Sequence, residues 1–282
     1  MKKVIIVLAA LLVLSSLFLG ACNSKPSATP TPTFTPTSSP TTTHTPTLTS
    51  TPNNQQPSSI TIIDEFDTPS DFPTGLTWDG QYLWSCDFIS EIIYKLDPDD
   101  GSVVDSFSSP GNDPEGLAWD GHYLWHVDGG NAYNLGDAAV LYIYKIDPAN
   151  GNTIYSFDAP GPGINAEDLT WDGSYLWYVD GGDEEEIHGT SSIYKIDPQN
   201  GNVLMNFDAP AANPSGLTWN GTYLVLGDYI KSRLYFLNPA DGNVVASLSI
   251  DIQYPGGLVW DGQYLWCADW EAAKIFCLEI EY

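Results

Sequence analysis

The ten residues GLTWDGQYLW, 75–84, decide the fold of this chain because the phrase keeps returning. GLAWDGHYLW begins at Gly116, DLTWDGSYLW at Asp168, GLTWNGTYLV at Gly216 and GLVWDGQYLW at Gly257. Such self-similarity at about 40–50 residues is the mark of a repeat architecture. Each copy reads as two short strands joined by a DG turn, since glycine tolerates the positive φ of a tight hairpin. A third strand follows after a variable loop: IYKLD, IYKID, IYKID and LYFLN in the first four units. The DPxxG turn after it leads to a fourth strand such as NVLMNF. Four strands per unit, five units in all, predict an all-β, five-bladed β-propeller. The fifth unit stops at Tyr282 without a fourth strand, and ITIIDEFDTP from Ile60 matches the missing one. The N-terminal strand is therefore expected to close the last blade and the ring, leaving no free edge between blades. Trp84, Trp125, Trp177 and Trp266 are expected to pack between blades.

Residues 1–59 differ in kind. Lys2 and Lys3 precede the apolar run VIIVLAALLVLSSLFLG, which reads as a targeting segment over residues 1–22. Its end, Leu19 to Cys22, resembles the lipobox of bacterial lipoproteins; that resemblance implies cleavage before Cys22, lipidation of its thiol, and an extracytoplasmic, membrane-anchored protein. Residues 23–59 are rich in Thr, Pro and Ser and too poor in apolar residues to bury a core. They read as a disordered stalk able to reach on the order of 100 Å. The propeller occupies residues 60–282.

All 36 acidic residues lie in that last part, and the chain carries a net charge of −27. Such a field repels phosphate backbones, so nucleic acid is not an expected partner. It favours cations and cationic ligands. Of the cysteines beyond Cys22, Cys267 and Cys277 flank a short predicted hairpin, and a disulfide between them depends on the register.

In a propeller, the start of each first strand and the end of each second strand share one face, around the channel mouth. The second strands end in Asp87, Asp128, Asp180, Asp228 and Asp269; this recurrence fits a repeated turn cap as well as a site. The residue directly before each quoted phrase is less regular: Thr74, Glu115, Glu167, Ser215 and Gly256. Only units two and three carry glutamate there, and the same units have long loops from Gly129 and Gly181. Asymmetry concentrated on one face of a repeat fold is where grafted function is expected. Glu115, Glu167, Asp128 and Asp180 are thus candidate ligands for Ca²⁺, which takes oxygen donors. Glu115 and Glu167 are alternatively an acid–base pair, because crowded carboxylates push one pKa upward. Asp128 and Asp180 are candidates for contacting a small ligand, as is Trp270, an aromatic outside the repeat and expected to be exposed. His126 and His188 lie nearby without ligand spacing; His126, on a strand facing its neighbours, reads as a packed core histidine. Phosphate-binding glycine loops, zinc patterns and nucleophile elbows are absent from the sequence.

FPTGLTWDGQYLW from Phe72 and GQYLWCADW from Gly262 carry a family resemblance. Over residues 60–282 the chain resembles the plant and bacterial type of glutamine cyclotransferase, within a broader group containing virginiamycin B lyase and gluconolactonase-like propellers. The resemblance implies formation of pyroglutamate from N-terminal glutamine. The family's glutamine and glutamate fall on Thr74 and Ser85 here, its asparagine on Ala268, and its late tryptophan on Trp270. An enzyme of this kind would rely on Glu115 or Glu167 instead. Three functions follow as expectations: a lipid-anchored propeller binding Ca²⁺ or a small ligand, a cyclotransferase-like enzyme, and a surface scaffold for a protein or glycan partner.

Overall fold

The computed structural model describes residues 56–129, 141–161, 165–181 and 191–282. His188 and most of the two long loops lie outside them. The described residues form strands and turns without a helix. β1 (Ser59–Asp67) is followed by blade one, comprising β2 (Pro73–Trp78), β3 (Leu83–Asp87), β4 (Ile92–Leu96) and β5 (Val103–Ser108). Blade two contains β6 (Pro114–Trp119), β7 (Leu124–Asp128), β8 (Tyr142–Ile146) and β9 (Thr153–Asp158). Blade three contains β10 (Ala166–Trp171), β11 (Leu176–Asp180), β12 (Ser192–Ile196) and β13 (Val203–Asp208). Blade four contains β14 (Pro214–Trp219), β15 (Leu224–Asp228), β16 (Arg233–Leu237) and β17 (Val244–Ser249). β18 (Pro255–Trp260), β19 (Leu265–Asp269) and β20 (Lys274–Glu281) complete the chain.

Each blade is an antiparallel four-stranded sheet in chain order, save the last, whose order is β1-β20-β19-β18. The N-terminal strand closes this blade as the repeat implied, pairing Ser59 with Glu281 and Asp67 with Lys274. The inner strands β2, β6, β10, β14 and β18 contact one another in sequence, and β18 returns to β2. That is a closed five-bladed propeller. The second strands are buried along their whole length, while the outer strands expose pairs such as Val103 and Val104.

The recurring phrase is explained by a turn cap that every copy repeats and an indole and lysine pairing that blades one to three share. Asp79 accepts the N–H groups of Gln81 and Tyr82 on Oδ1, which caps the DG turn. Its Oδ2 accepts the Trp84 indole N–H at 2.9 Å and pairs with Lys95 at 3.1 Å. Lys95 also lies 4.4 Å from the Tyr82 ring centroid and 5.0 Å from that of Trp84. Asp120 and Asp172 repeat this with Trp125 and Lys145, and with Trp177 and Lys195. Blade four replaces all three partners together. Asn220 still caps the turn, but Val225 stands for the tryptophan and Phe236, its cross-strand neighbour, for the lysine. Once the indole and ammonium are gone, the turn needs only a neutral acceptor. The four tryptophans are 1–7% exposed, so they are core, as expected.

Burial would raise the carboxyls of Asp79, Asp120 and Asp172, but the indole, peptide and lysine donors outweigh it and hold all three below the usual range. A lowered folded-state pKa contributes stability above about pH 4 that is lost as pH falls through the folded value. Asp120→Asn is therefore expected to cost about 1–2 kcal/mol at pH 7 and progressively less towards pH 3. Urea melts at the two pH values measure it; an equal cost at both would show that the charge is immaterial.

The register answers the cysteine question that the sequence left open. Cys86, Cys267 and Cys277 are all free and buried. In the β19–β20 register Cys267 faces Phe276, and Cys277 faces Trp266. The offset of one residue sends the two thiols to opposite faces of the sheet, and they join different core clusters.

Candidate functional site: the channel mouth

The five inner strands approach the axis so closely that side chains are nearly excluded. A Cβ on Gly75 would lie 2.5 Å from the Glu115 carbonyl oxygen, one on Gly216 2.3 Å from that of Gly256, and one on Gly257 2.3 Å from that of Thr74. The third copy of the phrase breaks the glycine rule with Asp168. Its carboxylate, wholly buried, fills the axis. Oδ1 accepts the peptide N–H groups of Leu169 at 2.8 Å and Leu117 at 3.3 Å; Oδ2 accepts those of Leu217 at 2.8 Å and Leu258 at 3.4 Å. Four blades thus converge on one side chain. Burial pushes its carboxyl well above the usual range, against the pull of those four donors. Asp168 was not among the sequence-derived candidates, although the signal was present as the one non-glycine at that position of the repeat.

Above this plug, the mouth divides into two unlike halves. Blades two and three supply carboxylates. Glu167 is 5% exposed and accepts the Asn165 amide at 2.6 Å, with Gly181 packed beside its Oε1. Glu115 is half-buried, and its Cγ and the Asp113 carboxylate both border Gly129. Asp128 accepts the Asp113 N–H at 3.1 Å and packs against Gly111. Asp180 packs against Gly161. Below them lies Tyr178, whose ring is fully buried and whose hydroxyl has no hydrogen-bond partner among the described residues. Burial and then Asp180, Glu167, Tyr194 and Glu115 push that phenol well above its usual pKa. The sequence reading also missed Tyr178. Its blade equivalents, Ser85, His126, Leu226 and Cys267, are too varied to mark the position.

His126 is fully buried. Nδ1 lies 3.0 Å from the Gly116 carbonyl, which can only accept, so Nε2 takes the Ser109 hydroxyl proton at 3.0 Å. Burial lowers its pKa, against Asp128. It is a neutral core histidine, as expected.

Blades one, four and five make the other half, where the strand-ending aspartates cap short loops. Asp87 accepts Phe72, Ile89 and Ser90 N–H groups; Asp269 accepts those of Tyr254, Glu271 and Ala272. Asp228 accepts Ile230 and Lys231 N–H groups and pairs with the Lys231 ammonium at 3.3 Å. The cap reading holds for these three. Trp270 is not the exposed aromatic expected: it is 6% exposed. It packs at 5.0 Å on Phe72 and 4.7 Å on Tyr254, with Tyr229 edge-on at 6.4 Å. The reason is that Phe72 and Tyr254 precede neighbouring inner strands and bracket it, neither of which the repeat alignment reveals. Ile89, next in sequence to Phe88, and Ile230, next to Tyr229, stand 44% and 53% exposed.

Thr74 and Ser85, where the cyclotransferase resemblance places glutamine and glutamate, are both buried, and the Thr74 hydroxyl donates to the Pro114 carbonyl at 2.7 Å.

No family model and no curated protein matches the sequence. Among solved structures, the chain is similar to the glutaminyl cyclase of Myxococcus xanthus, 15% identical over 79% of this chain and 97% of that one, with a TM-score of 0.62. The PQQ-bound aldose sugar dehydrogenase of Streptomyces coelicolor is 12% identical over 79% and 98%, with a TM-score of 0.52. Virginiamycin B lyase of Staphylococcus aureus is 20% identical over 75% and 67%, at 0.46. At these identities the likeness is one of fold alone and carries no chemistry with it.

Proposed function

We propose that this is a lipid-anchored, extracytoplasmic propeller that binds a cation at the mouth between blades two and three. The observation that carries the reading is that only blades two and three carry glutamate, Glu115 and Glu167, directly before the inner-strand phrase, in the same blades as Asp128 and Asp180, where the repeat symmetry is broken. Asp168 plugs the axis beneath, making the mouth a cup rather than a pore. Among the described residues no three acidic, histidine or cysteine side chains are grouped to hold a metal ion. An organic ammonium needs no fixed coordination number and suits paired carboxylates directly. Ca²⁺ takes six to eight oxygens and would rely on water for several of them.

The test is a thermal melt of the full chain with Ca²⁺, with chelator, and with methylammonium, beside Glu115→Gln/Glu167→Gln. A ligand at about 100 times its dissociation constant adds about 2.7 kcal/mol. A rise of several degrees that the double variant loses supports the reading, and the arm that produces it distinguishes metal from amine. No rise in any arm removes it.

A second reading rests on the M. xanthus likeness, which spans 97% of that cyclase. Under it, Glu115 or Glu167 would assist cyclisation of an N-terminal glutamine. Ammonia release from a glutamine-initiated peptide, absent in the double variant, is the result it requires.

A further inference from the structure

We propose that Ser109 and His126 form a nucleophile–base dyad between blades one and two, able to take the acyl group of a carboxylic ester. The dyad does not depend on the cation reading. Ser109 follows β5 in the loop to β6; it is half-buried, and its neighbours Ser108 and Pro110 are exposed. Its peptide N–H donates to the Glu91 carbonyl at 2.8 Å, which fixes the backbone. Its hydroxyl donates to His126 Nε2 at 3.0 Å and accepts the Gly111 N–H at 3.3 Å. His126 Nδ1 is held 3.0 Å from the Gly116 carbonyl, and the Tyr144 ring stacks on the imidazole at 6.3 Å. Since that carbonyl only accepts, Nδ1 keeps its proton and the Nε2 lone pair faces the serine. A hydroxyl in reach of an imidazole that a third group orients is the arrangement of nucleophilic catalysis. The base is buried and the nucleophile partly exposed, so a substrate meets Ser109 first.

Comparison between blades singles this pair out. The backbone bond of Ser109 recurs at Thr68, Ala159, Ala209 and Ile250, which marks them as its equivalents. The equivalents of His126 are Ser85, Tyr178, Leu226 and Cys267. The other seams thus carry Ala159 with Tyr178, Ala209 with Leu226, and Ile250 with Cys267. Thr68 keeps a hydroxyl, but it donates to the Ser70 carbonyl at 2.6 Å. Only before blade two do a hydroxyl and an imidazole coincide, where apolar pairs fill the same place elsewhere. In the reaction, Oγ attacks the acyl carbon as its proton passes to Nε2. That proton leaves with the departing alcohol, and water then frees the serine by the same route. The Gly111 N–H, already at Oγ, is the donor for the developing oxyanion. A net charge of −27 disfavours anionic acyl groups, so the ester is neutral or cationic.

Treatment of the full chain with a biotinylated fluorophosphonate, followed by peptide mapping, tests this. Oγ displaces fluoride at phosphorus while His126 takes the hydroxyl proton. Ser109 is expected to label at least about 100-fold faster than Ser108 beside it, since a positioned base contributes about 10²–10⁴. Ser109→Ala is expected to abolish the adduct, together with the burst of nitrophenolate that the parent releases from p-nitrophenyl acetate. His126→Gln, with its fold checked by a melt, is expected to slow labelling of Ser109 by about 100-fold; a merely structural histidine would leave that rate unchanged. If His126→Gln does not fold, the ratio of Ser109 to Ser108 labelling in the parent decides. No adduct on Ser109, equal labelling of the two serines, or a rate indifferent to His126→Gln overturns the proposal.

Discussion

Gly257→Ala is expected to lower the melting temperature by 10 °C or more, or to prevent ring closure altogether. The added Cβ would sit 2.3 Å from the Thr74 carbonyl oxygen, 2.6 Å from the Leu76 nitrogen and 2.7 Å from the Gly75 carbonyl carbon. All three are backbone atoms of blade one, so no side chain can rotate away. Relief requires the inner strands of blades five and one, β18 and β2, to separate. Overpacking of a well-packed interior costs about 1–3 kcal/mol and occasionally more; a rigid clash between two backbones belongs at the upper end, about 4 kcal/mol. For a domain of this size each kcal/mol is worth about 2–4 °C. Gly121→Ala is the control. That glycine has φ of +94° with open space around it, so only backbone strain of about 1 kcal/mol is expected. Calorimetric melts of the two variants should differ widely. If Gly257→Ala melts within 2 °C of the parent, the inner strands do not approach as described.

Asp168→Ala comes next. It orphans the N–H groups of Leu117, Leu217 and Leu258 at the axis, each drawn from a different blade. Buried unsatisfied donors cost about 1–3 kcal/mol apiece. Water entering from the mouth offsets part of this, leaving a loss of about 3–5 kcal/mol at pH 5. The pH dependence has a definite sign. A carboxyl whose folded pKa is raised contributes most below its unfolded value, near pH 4, and its contribution declines as pH rises through the folded pKa. The gap between parent and variant should therefore narrow from pH 4 upward. Denaturant melts across that range measure it; a gap that widens with pH would mean that the four donors outweigh burial.

The axial and mouth residues divide according to how far their reading depends on neighbours outside the repeat. Glu115 and Glu167 were legible in the sequence because a repeat supplies its own comparison: three sibling positions hold Thr74, Ser215 and Gly256. Asp168 is marked by the same comparison against four glycines yet was passed over, because its meaning required knowing that those glycines line an axis with room for one side chain. Trp270 was misjudged because its burial comes from Phe72 and Tyr254, which lie in loops of variable sequence. Cys267 and Cys277 were left open by the sequence because a shift of one residue in register reverses the face of every side chain on a strand.

The sequence by itself determined the blade count, the four-strand unit, the closure by the Ile60 strand and the half of the mouth where symmetry breaks. All of these follow from local periodicity and from comparing one copy with the next. Only the tertiary structure decided which aspartates cap loops, which aromatic is covered, and that Asp168 fills the axis. Those are relations between blades, set by distances across an axis that no spacing along the chain encodes.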